Sequence, residues 1–156
     1  LLQSQFGKII FENKDLFELS ENQLDKLRAK NFGFVFQRLY LINYLNVEQN
    51  IQLANISSNS SDMNSLIEEL GLLDKRKSKI RELSVGEAQR VAIARAIVSK
   101  PKVIFADEPT SALDDKNSEK VMKLLFAQAE KNNTTLIGSS HDSRIKKKFS
   151  NFLELD

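Results

Sequence analysis

The sequence predicts an α/β fold built on a parallel sheet, and three observations predict it. Short apolar runs at 32–36, 103–106 and 135–138 are separated by stretches with helical spacing. The runs are apolar without strict alternation, as expected of strands covered by helices on both faces. Polar groups, namely Gln37, Asp107, Glu108 and His141, follow directly on these runs. Ligand sites of open α/β sheets lie at that carboxyl edge.

Taken in order, residues 7–11 read as a short strand and Asn13-Lys14-Asp15 as the turn after it. Ser20 and Gln23 have capping-box spacing, so a helix over 21–30 follows. Phe34, Val35 and Phe36 suit a buried strand that ends on Gln37. From 38 to 83 the character changes. Helical spacing returns over 46–54 and 63–70, with Gly71 placed as a cap and a polar loop over 55–61 between them. The basic run at 75–81 reads as a solvated face. A helix then starts near Gly86 and stops before Pro101, followed by a buried strand at 103–106. A helix over 116–131 carries Val121, Leu124 and Leu125 on one side, 135–138 is an apolar strand, and 151–155 alternates as a final strand.

Composition removes several function classes. The 156 residues are 41% hydrophobic and 28% charged, ordinary for a soluble domain with a core of its own. A net charge of +2 is too small to attract nucleic acid or an anionic membrane through bulk charge. Zero Cys excludes disulfides, thiol nucleophiles and thiolate metal sites, and a single His excludes a multi-histidine cluster. No apolar run approaches the roughly 18 residues of a membrane span, and residues 1–5 do not read as a signal peptide. The chain begins at Leu1 rather than Met.

The strongest chemical signal is Asp107-Glu108 at the end of Val103-Ile104-Phe105-Ala106. Adjacent carboxylates at a strand end point to opposite sides and can do two jobs. One can hold Mg²⁺, directly or through water, and the other can orient an attacking water. Asp-Glu-Pro is equally ordinary turn chemistry. Leu83-Ser84-Val85-Gly86-Glu87 opens a long helix. Ser84 and Glu87 satisfy a capping box, and the same hydroxyl and N-terminal amides can form an anion site. His141, past a buried strand and Gly138-Ser139-Ser140, is placed to touch a phosphate or a water. Each signal is weak by itself; four in one short chain are not.

In this order the residues resemble the nucleotide-binding domain of ATP-binding-cassette (ABC) proteins. The stretch from Leu83 to Ala96 is similar to the family signature and its helix, Val103 to Pro109 to the Walker B strand, and Ser111-Ala112-Leu113-Asp114 to the D-loop. Phe34-Val35-Phe36-Gln37 resembles the Q-loop and His141-Asp142 the switch histidine. The resemblance covers essentially the whole chain. It implies a P-loop NTPase-like, mostly parallel sheet flanked by helices, with a helical subdomain inserted between Q-loop and signature. Residues 1–37 would be the core up to the Q-loop, 38–83 the helical subdomain, and 84–156 the core carrying signature, Walker B, D-loop and H-loop.

The resemblance also implies an ATP-binding, ATP-hydrolysing subunit of a transporter. Asp107 would bind Mg²⁺, Glu108 would polarise the hydrolytic water, and His141 would contact the γ-phosphate. Gln37 would join the metal and water shell and sense the transmembrane partner. Ser84 and Gly86, within a signature that includes Glu87, would cap the γ-phosphate of ATP held by an opposite subunit, and Asp114 would lie at that interface. The implied partners are a second nucleotide-binding domain, as a homodimer or pair, and a membrane permease, with no nucleic acid. The implied place is cytoplasmic, peripheral on the inner face of the cell membrane.

Three departures from the family pattern stand out. Val85 replaces the first signature Gly, and a β-branched residue restricts approach to a phosphate. Glu87 replaces the common Gln, as in exporters of the lipoprotein-release and macrolide-export type, which Phe-Gly-Phe-Val-Phe-Gln at 32–37 also resembles. No G-x-x-x-x-G-K-[ST] loop is present, since Gly7-Lys8 lacks both the upstream Gly and the Ser or Thr. The expectation is a fragment whose phosphate loop lies upstream of Leu1 and which binds ATP poorly as it stands. A DNA-acting or translation ATPase of the same superfamily fits less well. The segment between Gln37 and Ser84 holds no Cys and no heptads, and only one set of motifs is present. The alternative is a degenerate, non-catalytic ABC-like interaction module.

Overall fold

The computed structural model describes residues 7–55 and 60–154. The first strand, β1 (Ile10–Phe11), pairs antiparallel with β2 (Lys14–Asp15). The turn sits at Glu12-Asn13 rather than 13–15, because both residues take left-handed φ values of 49° and 62°. Two consecutive positive-φ residues make the hairpin turn whose twist matches its strands, and the absence of Gly hides it from the sequence.

Helix α1 (Glu21–Asn31) starts at the expected capping box, with Gln23 N–H donating to Ser20 Oγ and Ser20 N–H to Gln23 Oε1. It runs straight into β3 (Phe32–Val35), which ends one residue before Phe36. Helix α2 (Val47–Gln52) has a second capping box, Asn46 with Gln49. Helix α3 (Ser60–Glu69) follows, and Gly71 takes the left-handed φ of +62° just after it. Part of the expected polar loop, residues 56–59, lies outside the described residues.

Helix α4 (Val85–Ile97) leads to β4 (Val103–Asp107), α5 (Asp115–Lys131), β5 (Thr135–Ser139) and the short α6 (Ser143–Lys146). The three longer strands form a parallel sheet in the order β3-β4-β5, with Val35 opposite Ala106 and Asp107 opposite Ser139. The expected final strand is not seen: residues 151–154 are irregular, and Leu155 lies outside the described residues. Lys146 instead holds the segment, over the Phe152 ring and 3.0 Å from Glu154.

Two apolar cores meet at α4. On one side Ile93, Ala96 and Ile97 pack with Val35, Ile104 and Ala106 of the sheet and with Val121, Met122 and Leu125 of α5. On the other, Val91, Ala94 and Val98 pack with Val47 and Ile51 of α2 and with Met63, Ile67, Leu70 and Leu72. Each fully buried Ile or Leu contributes roughly 1.5–3 kcal/mol. The 38–83 segment therefore completes its core with a helix from outside itself.

The expectation of two covered sheet faces needs correcting for the described residues. Gly33, Val35, Ile104 and Ala106 are buried under α4 and α5, whereas Phe34 and Ile137 on the opposite face are exposed. There the rings of Phe32, Phe105 and Phe34 pack with one another along the surface.

The basic run is not merely solvated. Arg76 and Lys77 both pair with Glu48 of α2, and Arg76 Nε donates to Glu48 Oε1 at 3.0 Å. These donors hold the Glu48 carboxyl down to about 2 from 4.5. A depressed folded-state pKa stabilises above the unfolded value and is lost as pH falls through the folded one. Glu48→Gln should therefore lower the thermal midpoint at pH 7. The gap between variant and parent should close between pH 4.5 and about 2, read by melting curves across that range.

Candidate functional site at the carboxyl edge of the sheet

Parallel pairing of β4 with β5 brings residues 107–108 against 139–141. Ser139 Oγ donates to Asp107 Oδ1 at 2.5 Å, and Glu108 N–H donates to the Ser139 carbonyl at 3.0 Å. Strand β4 stops at Asp107, and Glu108 takes a left-handed φ of +44°. That conformation costs a non-glycine residue of order 1–3 kcal/mol and persists only where surroundings impose it. Strand alternation therefore does not set the direction of Glu108, and both carboxylates lean on the same 139–141 segment.

Glu108 is held through both oxygens. Oε1 accepts from the His141 backbone N–H at 2.8 Å and lies 2.6 Å from His141 Nδ1; Oε2 accepts from Ser140 Oγ at 3.2 Å. A carboxylate offers about four acceptor positions, so one on Oε2 remains for a water. The Glu108 side chain is 19% exposed and that of His141 81%. Because ionised Glu108 can only accept, Nδ1 carries the proton, and Nε2 donates to an anion when the ring is cationic.

Gln37 is exposed, two residues beyond Val35, which pairs with Ala106. It therefore stands at the same edge of the sheet as the two carboxylates. Asp107, the Gln37 amide and the Ser139 hydroxyl offer only oxygen ligands toward a cation, which suits Mg²⁺. No cluster of three or more His, Cys, Asp or Glu residues able to hold a metal occurs among the described residues. Mg²⁺ needs none, since it takes one or two carboxylates and fills its shell with water and phosphate oxygens.

The remaining predicted residues form a second group. Ser84 caps α4 as expected, donating to Glu87 Oε2 from its N–H at 2.8 Å and from its hydroxyl at 2.9 Å. The Ser84 backbone and side-chain donors, in that order, hold the Glu87 carboxyl below its usual range, with Lys75 3.9 Å away. An anion that takes the Ser84 hydroxyl must first displace Glu87. Val85 is exposed at the first helical turn. Asp114 caps α5, accepting from Asn117 N–H at 2.9 Å and Asn117 Nδ2 at 2.8 Å, which lower its pKa. A methyl group added at Gly86 would lie 4.0 Å from Asn117 Oδ1, so the starts of α4 and α5 are neighbours.

The structure thus gathers Asp107, Glu108 and His141, with Gln37 at the same edge, and separately sets the start of α4, with Ser84, Gly86 and Glu87, near Asn117, the hydrogen-bond partner of Asp114. Sequence reasoning missed Ser139 and Ser140 as partners of the carboxylates. Their signal was two hydroxyl residues at the end of a strand expected to lie beside β4. Among the described residues, no helix is long and apolar enough to cross a membrane.

A protein-family model described as ABC transporter matches residues 1–111. The chain is 38% identical over 141 residues to the lipoprotein-releasing system ATP-binding protein LolD of Leptospira interrogans, covering 87% of this chain and 60% of that protein. It is 37% identical over 155 residues to the macrolide export ATP-binding/permease protein MacB of Aggregatibacter actinomycetemcomitans, covering 96% of this chain and 24% of that one. Among solved structures, the dimeric post-hydrolysis state of the ATP-binding cassette MJ0796 bound to ADP and Pi superimposes with a TM-score of 0.77 at 33% identity. That match covers 90% of this chain and 65% of the other. The chain therefore spans less than two thirds of the length of each of these three. With a parallel sheet flanked by helices and these matches, the fold is the P-loop NTPase-like α/β fold. The chain belongs to the ABC transporter family, among ATP-binding cassettes of the lipoprotein-release and macrolide-export-like subgroup.

Proposed function

We propose that the full-length protein is the ATP-hydrolysing subunit of a membrane transporter and that the 139–141 segment and residues 107–108 form its hydrolytic edge. The observation that carries this reading is Glu108. It is held at a sheet edge in a strained backbone conformation, by donors from the neighbouring strand's end, with one acceptor position left for water. Glu108 takes the proton of the attacking water, and Ser140 and the His141 amide keep its carboxylate in place. His141 stays hydrogen-bonded to Glu108 through Nδ1 and presents the far side of its ring to the γ-phosphate. Asp107 holds Mg²⁺ with help from Gln37, and Ser139 fixes the carboxylate that does so. When bound, Mg²⁺ neutralises charge on the phosphate oxygens.

Ser84, Gly86 and Glu87, together with Asp114, lie on a separate patch and serve the nucleotide of an opposing cassette in a head-to-tail pair. The dimeric state of the solved cassette named above supports such pairing. Residues 38–83 form the helical subdomain that docks on a permease, which places the protein on the cytoplasmic face of the membrane. An open cavity of about 410 Å³ supports this, lined by Arg38, Leu39, Tyr40, Leu41, Asn43, Ile80 and Ala88 beside the Gln37 loop. The 156 residues contain no G-x-x-x-x-G-K-[ST] loop, so this stretch alone should hydrolyse ATP hardly at all.

The metal assignment is tested by Asp107→Asn in the full-length protein. Removing a ligand's charge should raise the Mg²⁺ concentration for half-maximal ATP turnover by about tenfold or more. A Mg²⁺ titration that superimposes on the parent's would remove Asp107 from the metal site.

A further inference from the structure

Arg95, on α4, is a charged side chain turned toward two neutral groups. Its Nη1 donates to the Tyr40 carbonyl and its Nη2 to the Leu39 carbonyl, each at 2.7 Å. Burial pushes its guanidinium below the usual value. A half-buried charge of this kind costs free energy unless its hydrogen bonds are made. The planar fork of Arg suits two successive carbonyls in a way the point charge of Lys does not.

The carbonyls belong to the loop that follows Gln37. Tyr40 takes a left-handed φ of +47°, and its ring meets the edge of Phe36 and the guanidinium of Arg38. Further along, fully buried Asn50 of α2 accepts from Ile42 N–H at 2.7 Å and donates to the carbonyls of Ile42 and Asn46 at 3.1 and 3.0 Å. Between β3 and α2 the loop is thus held by side chains along its length, with Lys79 Nζ also donating to the Tyr44 carbonyl at 2.9 Å. Asn50 fixes its far half to the helical segment. Arg95 fixes its near half to the helix shared by both cores, the same helix whose first turn carries Ser84 and Gly86.

We propose that Arg95 is a positioning residue for ATP hydrolysis: by gripping Leu39 and Tyr40 it sets where Gln37 stands at the carboxyl edge and ties that position to α4. The inference rests on the reading that Gln37 serves the metal and water shell. A residue needed only for packing would show its loss as lower stability. A positioning residue shows it as slower turnover of bound nucleotide.

The test uses the full-length protein and the variants Arg95→Met, Arg95→Lys, Gln37→Ala and the double variant Arg95→Met/Gln37→Ala. Turnover should fall about tenfold or more in Arg95→Met, the size of effect seen when outer-shell partners are removed. Nucleotide affinity measured without Mg²⁺ should stay within about twofold. The double variant should be no slower than Gln37→Ala, because residues acting through one another are non-additive. Arg95→Lys, reaching one carbonyl, should recover part of the rate, and it carries the test should Arg95→Met fail to fold. Additive losses, parental turnover in either Arg95 variant, or affinity without Mg²⁺ falling in step with turnover would each overturn the proposal. Parental turnover in Gln37→Ala overturns the Gln37 reading and this inference with it. An impaired Gln37→Ala beside a normal Arg95→Met overturns the Arg95 role alone.

Discussion

Glu108→Gln in the full-length protein should lower ATP turnover by about 10²–10⁴-fold, the range that general-base catalysis contributes, while nucleotide stays bound. Gln has the same shape as Glu. Its Oε1 can still accept from the His141 N–H and Nδ1–H, and its amide can donate to Ser140 Oγ, so the contacts at 2.8, 2.6 and 3.2 Å have replacements. The variant loses the capacity to take a proton from water and little else. Turnover should collapse without loss of folding, and a nucleotide-loaded dimer should accumulate. Phosphate release in the steady state measures the first, and size-exclusion chromatography with ATP the second. Turnover near the parental rate would mean that the base lies elsewhere and that Glu108 serves only to fasten the 139–141 segment.

Gly33→Ala should lower stability by about 3 kcal/mol, the upper end of ordinary overpacking costs. At roughly 2–4 °C per kcal/mol for a domain of this size, the thermal midpoint drops by about 6–12 °C. A Cβ at Gly33 would overlap the Ala96 carbonyl oxygen and lie 3.1 Å from both Ala96 C and Pro101 Cγ. The oxygen belongs to helix backbone and cannot swing aside, so α4 itself has to move. Because α4 closes both cores, the displacement loosens the sheet side around Ile93 and Ile97 and the helical side around Val91 and Val98. Gly86→Ala is the contrasting control, with nothing nearer than 3.8 Å to the added methyl. It should leave the midpoint unchanged or raise it slightly, since Ala is the better helix former. Thermal or urea unfolding of the two variants separates them. Equal midpoints would show that β3 and α4 do not meet this closely.

The parts of the fold legible in the sequence are those settled by neighbours in the chain. Ser20 with Gln23 and Ser84 with Glu87 declared their helices because a capping box is closed within four residues. The strands at β3, β4 and β5 were visible as apolar runs, and the polar residues after them marked the carboxyl edge. Misreadings fell where local pattern needs a remote partner. The 151–155 alternation is not matched by a strand over 151–154, and Phe34 and Ile137 stand exposed on the aromatic face of the sheet among the described residues although their strands read as buried on both sides. The Glu12-Asn13 turn escaped because Glu carries no signal for positive φ.

By itself the sequence determined the α/β class, the succession β3, α4, β4, α5, β5, and the polar residues that follow those strands or start those helices. Each of these follows from hydrophobic period or from hydrogen bonds between near neighbours. Only the tertiary structure decided that Glu108 and His141 meet, that Ser139 and Ser140 support the carboxylates, that Gly33 must lack a side chain and that Arg95 grips the Gln37 loop. These contacts join residues from about 30 to more than 60 positions apart in the chain. Parallel strand register and the packing of α4 against two cores bring them together, and neither leaves a mark on local composition.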